Sequence, residues 1–229
     1  MIFDMTAGSG EPYKVLTLND AFPADVTVEF NKEVTCKVEI ATHGKPEQYT
    51  YQWFKNGSAV EGANGDTYTF TPNVVGTITL ECDVTNAAGT VTSRTATITS
   101  TEVYLYKDGS FHPDYYNDSF AWTSLFYVHE GVKMNIQDKN MGRKFNAMDV
   151  THVNTVTATI TGSWGGTFNL VLFTTDGAEA AKVSGNTVGQ VLTLDVSAFE
   201  GQYVVGFYAT SGQTNGNFNV NVNPIAIYP

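Results

Sequence analysis

The chain has 229 residues, which suits two domains of about 100 residues, each able to bury a core without a metal or disulfide. Only 15% of the residues are charged; Thr, Val, Asn, Gly and aromatics fill the difference, a composition of strands and tight turns. A net charge of -11 with 12 Lys+Arg repels polyanions, which argues against nucleic acid or an anionic membrane surface as partner.

Residues 1–11 are small, polar and glycine-bearing and read as a flexible arm. Residues 1–10 lack a basic stretch followed by an apolar one, so no secretory leader is expected in them. Apolar runs such as Tyr203-Val204-Val205 are far too short to span a bilayer, so membrane insertion is not expected. From residue 12 to 100 the chain alternates polar and apolar residues in short runs at 26–30, 34–40, 50–54, 67–70, 77–84 and 90–99. Turn residues separate them at His43-Gly44, Asn56-Gly57, Asn64-Gly65-Asp66, Pro72-Asn73 and Ala88-Gly89. Six or seven short strands at this spacing predict a β-sandwich.

A short junction at 100–104 leads into a second domain over 101–229. It opens with 103–106 and a Lys107-Asp108-Gly109 turn, followed by an aromatic-rich stretch at 110–148 that reads as irregular. Strands are expected again at 155–160, 167–174, 182–183, 191–196, 203–210, 218–222 and 225–228. No amphipathic helix of any length stands out. The expected fold class is therefore all-β, two β-sandwiches in tandem, the second jelly-roll-like.

Cys36, Trp53 and Cys82 carry the clearest pattern in the first domain. Trp53 is followed by Phe54-Lys55-Asn56-Gly57, a strand running into a turn, and Cys82 by a strand ending at the Ala88-Gly89 turn. Over 12–100 this resembles the immunoglobulin superfamily, and more closely the Ig-like domains of bacteriophage structural proteins. The resemblance implies that Cys36 and Cys82 meet on facing strands with Trp53 packed over them. A bond between them is left open. It would stabilise by roughly 3–4 kcal/mol in the chain-entropy model, whereas cytosolic assembly would keep two buried thiols. Leu80 stands where the family's corner tyrosine is expected, and the loop at 43–48 is enlarged.

In the second domain, Leu194-Asp195-Val196-Ser197 followed by Gly201 and the apolar run to Ala209 resembles the strand–turn–strand corner of galactose-binding-like jelly rolls. That resemblance, over about 150–229, implies carbohydrate binding by loops at one end of the sandwich.

Candidate chemistry is sparse. Asp108, His112, Asp114, Asp118, His129 and Glu130 cluster in sequence, as a metal site or an acid–base pair would, but their spacing fits no EF-hand and they read as solvated loop polars. There is no G-x-S-x-G elbow and no phosphate-binding glycine loop before a helix. No catalytic residue, cofactor or metal is expected, and the chain reads as a non-enzyme. Tyr115, Tyr116 and Trp122, with Phe120, Phe126 and Tyr127, serve either as second-domain core or as glycan and interface contacts. Trp164, between Ser163 and Gly165-Gly166, is expected in an exposed turn, where its ring has little core to enter.

The resemblances and layout lead to the expectation of a bacteriophage virion structural protein: a capsid decoration, head fibre, tail or baseplate component. It would dock onto other virion proteins in an oligomeric assembly and display a domain to host-surface glycans. The alternative is a pair of carbohydrate-binding modules from a bacterial cell-surface or secreted adhesin.

Overall fold

The computed structural model describes residues 13–45, 47–116, 127–129, 133–136, 142–211 and 219–229. They form two compact units, Met1–Thr101 and Glu102–Pro229, each built of strands. The fold is all-β, as the sequence pattern requires.

Unit one contains β1 (Thr17–Leu18), β2 (Val26–Glu29), β3 (Val34–Lys37), β4 (Ile40–Thr42), β5 (Thr50–Lys55), β6 (Ser58–Ala59), β7 (Thr67–Phe70), β8 (Gly76–Asn86), β9 (Gly89–Thr92) and β10 (Ala96–Thr101). One layer runs β2-β10-β8-β5-β6, with β9 also on β8; β3-β7 and β1-β4 supply the facing pairs. Strand β8 is central because it alternates strictly. Ile78, Leu80, Cys82 and Val84 are all but inaccessible to solvent, while Thr79, Glu81 and Asp83 point outward. Trp53 on β5 pairs directly with Cys82 on β8, and Cys36 on β3 lies in the same apolar cluster. Trp53 is fully buried, and its Nε1 donates to the carbonyl of Gly65 at 2.9 Å, so the indole meets no polar penalty. Leu80 is fully buried at the position read as a missing corner tyrosine. Both sulfurs are buried free thiols. Burial pushes the Cys82 thiol up to about 12 and also raises Cys36.

The sequence pattern predicts one strand over the run at 90–99. It is instead split into β9 and β10, because Ser93 turns inward: its amide donates to the Cys82 carbonyl and its Oγ accepts from the Cys82 amide, both at 2.9 Å. At the start of β2, Asp25 takes both its oxygens to Arg94 Nη2 at 3.0 Å and accepts the Thr97 amide at 2.8 Å, which ties β2 alongside β10.

Unit two contains β11 (Val103–Lys107), β12 (Ser110–Phe111), β13 (Tyr127–His129), β14 (Lys133–Ile136), β15 (Gly142–Asp149), β16 (Thr155–Trp164), β17 (Gly166–Phe173), β18 (Glu179–Gly185), β19 (Val191–Asp195), β20 (Gln202–Ser211) and β21 (Asn219–Tyr228). Two sheets result. One runs β12-β11-β21-β14-β13, with β16 pairing both β21 and β19; the other runs β15-β20-β17-β18. Between them lie Phe145, Phe168, Leu170, Leu172, Val205 and Phe207 from one sheet and Val156, Ile160, Leu192, Val220 and Ile227 from the other, almost wholly buried. The Phe168 and Phe207 rings stack 5.6 Å apart. Full burial of each such side chain stabilises by about 1.5–3 kcal/mol, so this interior is what holds the unit together.

The strands of unit two depart from the sequence pattern at 110–148 and at the C-terminal end. The stretch at 110–148 is not irregular throughout: it contributes β12, β13, β14 and β15. The last two predicted strands are one, β21, whose partner on one edge changes from β14 to β11 at Asn223-Pro224. Pro224 has no amide to give to the ladder. Asn223 compensates by accepting the Asp108 amide and donating to Asp108 Oδ1, both at 2.9 Å.

Candidate functional site: the outer face of the four-stranded sheet

Along β17 the inward residues are Phe168, Leu170 and Leu172. Strand alternation therefore turns Thr167, Asn169, Val171 and Phe173 to the opposite face. Register carries that face across the sheet. Asn169 sits between Ser184 on β18 and Tyr208 on β20; Val171 sits between Lys182 and Gly206; Thr167 pairs with Thr210; and Gly206 pairs with Lys144 on β15.

These side chains form one connected arrangement. The Tyr208 hydroxyl donates to Glu179 Oε1 at 3.0 Å and accepts from Lys182 Nζ at 3.1 Å, while Lys182 also donates to Glu179 Oε2 at 3.0 Å. Strand β17 separates β20 from β18, a distance of roughly 10 Å between their axes. Side chains standing upright from the sheet would not meet across it, so Tyr208 and its partners lean together over β17. Val171, on that face between them, is fully buried accordingly. The Lys182 ammonium is 5.7 Å from the Tyr208 ring centroid but 3.1 Å from its hydroxyl, so it lies beyond the ring's edge and not over its face. Phe173 contrasts: the Lys144 ammonium sits 3.9 Å over its ring, and only 2% of it is exposed.

Asn169 is the anchor. It is 6% exposed, its Nδ2 faces the Tyr208 carbonyl at 3.2 Å and Thr210 Oγ1 at 3.3 Å, and its Oδ1 accepts from Ser184 Oγ at 2.7 Å. A buried amide with its partners in place fixes three strands in register. Gly206 permits the close packing beside it: a Cβ there would meet Phe173 at 2.8 Å and the Arg143 carbonyl at 2.9 Å. Ser184, Lys182, Glu179 and Thr210 remain exposed, and Tyr208 is partly so. The Lys182 ammonium holds the Glu179 carboxyl below the ordinary carboxylate value, and the hydroxyl of Tyr208 and then Glu179 raise Lys182.

The residues singled out from sequence lie elsewhere. Cys36, Trp53 and Cys82 are interior to unit one. Tyr115 and Tyr116 follow β12 in a loop pinned to β15, where the Asn146 amide donates to the Tyr115 carbonyl at 2.7 Å. The Tyr116 ring is 4.9 Å from that of Phe111 and 4.8 Å from the Arg143 guanidinium, while Tyr115 packs on His112. Arg143 pairs with inward-facing Phe207, so the Tyr116 cluster belongs to the opposite side of β15 from Lys144. Trp122 lies outside the described residues, as do Asp118 and Glu130. Trp164 is not in a turn: it is the last residue of β16 and pairs with Asn219 on β21 before Gly165 carries the chain to the other sheet. His112 Nδ1 accepts the Asp114 amide at 3.2 Å. Among the described residues no three His, Cys, Asp or Glu side chains converge as a metal ion requires, and no helix is long and apolar enough to cross a membrane.

Sequence reasoning passed over Tyr208 and Asn169. The signal was there: in 168–173 a single Asn interrupts an apolar run, and in 205–209 the inward set Val205, Phe207 and Ala209 implies an outward Tyr208.

Unit one also has an open groove of about 230 Å³ beside β3, lined by Phe22, Ala24, Val26, Cys36 and the Lys37 stem. That is below the usual size of a small-molecule site, and its walls offer little directed polarity.

No protein-family model matches the sequence, and no curated protein matches it significantly. Solved structures do. A quinonprotein alcohol dehydrogenase-like protein of Bacteroides thetaiotaomicron VPI-5482 matches 58% of this chain at 19% identity and TM-score 0.32. The match spans 24% of that chain, about a quarter of its length. A structure of carbohydrate-binding modules from the β-sandwich superfamily matches 94% of this chain and 97% of its own, at 17% identity and TM-score 0.34. A point mutant of a family 29 carbohydrate-binding module matches 56% of this chain and 91% of its own, at 13% identity and TM-score 0.40. These are loose likenesses and assign no residue a role.

Proposed function

We propose that the chain is a non-catalytic glycan-binding protein whose platform is the outer face of β15-β20-β17-β18. The observation that supports this most is the Tyr208–Glu179–Lys182 arrangement. It holds an aromatic ring leaning over the sheet, with the ammonium placed at the ring's edge. Sugar rings present one apolar C–H face and a rim of hydroxyls. A partly exposed tyrosine fixed by its own hydroxyl, with exposed Ser184 and Thr210 nearby, matches both features. Fixing the ring beforehand spares the entropy that a loose side chain would lose on binding.

Tyr115, Tyr116, Trp122 and Trp164 remain candidate additional glycan or interface contacts. The expectation of docking onto virion proteins finds no support in the comparisons, and the reading as carbohydrate-binding modules of a bacterial surface or secreted protein is the one retained. The test is glycan-array binding by the intact chain, wild type against Tyr208→Ala, with circular dichroism confirming that the variant folds. Glycan binding that Tyr208→Ala abolishes is the expected result. Glycan binding that the substitution leaves unchanged removes the platform, and absence of binding by both proteins removes the function.

A further inference from the structure

Resting on that reading, we infer that the platform takes uncharged polysaccharide, a hydroxyl-bearing neutral chain, and discriminates against uronate-type acidic glycans. The charges on this face are closed on one another. Both oxygens of Glu179 are used, one by Lys182 and one by the Tyr208 hydroxyl, and two of the three Lys182 donors are spent on the same pair. The Lys144 ammonium is laid over the Phe173 ring, close to the 177 turn, and its field also reaches Glu179. A carboxylated sugar would have to compete with Glu179 for Lys182 and would release a carboxylate beside itself. The surroundings add to this. Over 102–229 the sequence has six Lys and Arg against eleven Asp and Glu, a net charge of -5, so the long-range field repels a polyanion. Beside the exposed Glu179–Lys182 ion pair, whose two charges offset each other, the face offers the Ser184 and Thr210 hydroxyls and part of the Tyr208 ring. Asn169 is not among these groups, because its amide is buried and bonded to neighbouring strands; it positions Tyr208 and Ser184 and does not touch ligand.

The test is native affinity electrophoresis of the intact chain, at low ionic strength, in gels containing hydroxyethylcellulose, glucomannan, galactan or laminarin as neutral polymers and polygalacturonate or alginate as acidic ones. Tyr208→Ala and Glu179→Gln run alongside, with melting curves confirming their folding. Retardation is expected in at least one neutral gel, at least tenfold stronger than in either acidic gel and lost in Tyr208→Ala. Glu179→Gln, which leaves the Lys182 ammonium without its carboxylate, should narrow the neutral-to-acidic ratio. Equal or stronger retardation in an acidic gel that Tyr208→Ala abolishes overturns the neutral-ligand inference while the platform stands. A ratio unmoved by Glu179→Gln overturns the role given to the closed charge pair. Retardation insensitive to Tyr208→Ala overturns the platform itself, and no retardation in any gel overturns both.

Discussion

Tyr208 on β20 and Glu179 on β18 are joined by a 3.0 Å hydrogen bond although β17 lies between their strands. With the bond that the same hydroxyl accepts from Lys182, it holds the tyrosine leaning over the sheet, away from the upright posture of an ordinary strand residue.

Tyr208→Phe isolates this effect. The ring stays and the two hydrogen bonds of the hydroxyl go, each worth about 0.5–1.5 kcal/mol where it is formed. Glycan affinity should fall by about threefold to tenfold, less than for Tyr208→Ala, and the melting temperature should drop by about 2–4 °C for each kcal/mol lost, with the fold kept because the Phe168–Phe207 interior is untouched. Isothermal titration against the best array ligand measures it. An affinity equal to wild type would mean that the hydroxyl does not position the ring.

The same network sets a pH dependence. Lys182 first, and the Tyr208 hydroxyl with it, lowers the Glu179 carboxyl below its ordinary 4.5. A depressed folded value means that the stabilisation is fully present above the ordinary value and is lost as pH falls through the lowered one. Binding should therefore be flat from neutral pH down to about 4.5 and weaken only below that, and Glu179→Gln should remove the acid limb. Affinity measured from pH 3.5 to 8 decides the matter. A limb centred near pH 6 would point to a histidine in place of Glu179.

How much of this was legible from residues alone depends on whether period-two alternation survives. In unit one it does: β8 alternates without a break, which puts Cys82 on the inner face, where the immunoglobulin resemblance implies it with Trp53 packed against it, and the structure pairs the two. The second unit was harder to read. In β15 the register slips between Lys144 and Ala147, which spoils the alternation over 142–149 and let that strand pass as irregular. The glycines beside Trp164 point to a turn, but Gly165 marks a crossing between sheets and leaves the tryptophan in a strand. The platform was missed for a different reason. On β17 both faces are buried, so Asn169 sits in an apolar run that reads as plain core. The contact between Tyr208 and Glu179 joins residues 29 apart that no local pattern connects.

Ser93 provides a stability test in unit one. Its Oγ accepts the amide of Cys82, which sits at the centre of the core, and it is itself 8% exposed. Ser93→Ala leaves that amide buried without its acceptor, which costs about 1–3 kcal/mol. Ser93→Thr keeps an acceptor and should cost less. Urea denaturation gives the comparison. Equal midpoints for wild type and Ser93→Ala would show that water or a shifted carbonyl replaces the hydroxyl.

The two thiols yield the last prediction. Cys82 is fully buried beside Trp53, and with its thiol pushed up to about 12 the nucleophilic thiolate is scarce at pH 8. Cys36 is shifted in the same direction by burial and keeps 4% of its surface exposed at the wall of the β3 groove. Both should resist iodoacetamide at pH 8 in the folded protein and label fully in denaturant. Cys36 should label first under partial denaturation, because the groove gives it the shorter path to solvent. Intact-mass spectrometry over a denaturant series counts the adducts. Prompt double labelling without denaturant would contradict the buried-thiol core. A mass two daltons low and no labelling even when unfolded would show that the purified protein carries the bond that the free thiols of this structure lack.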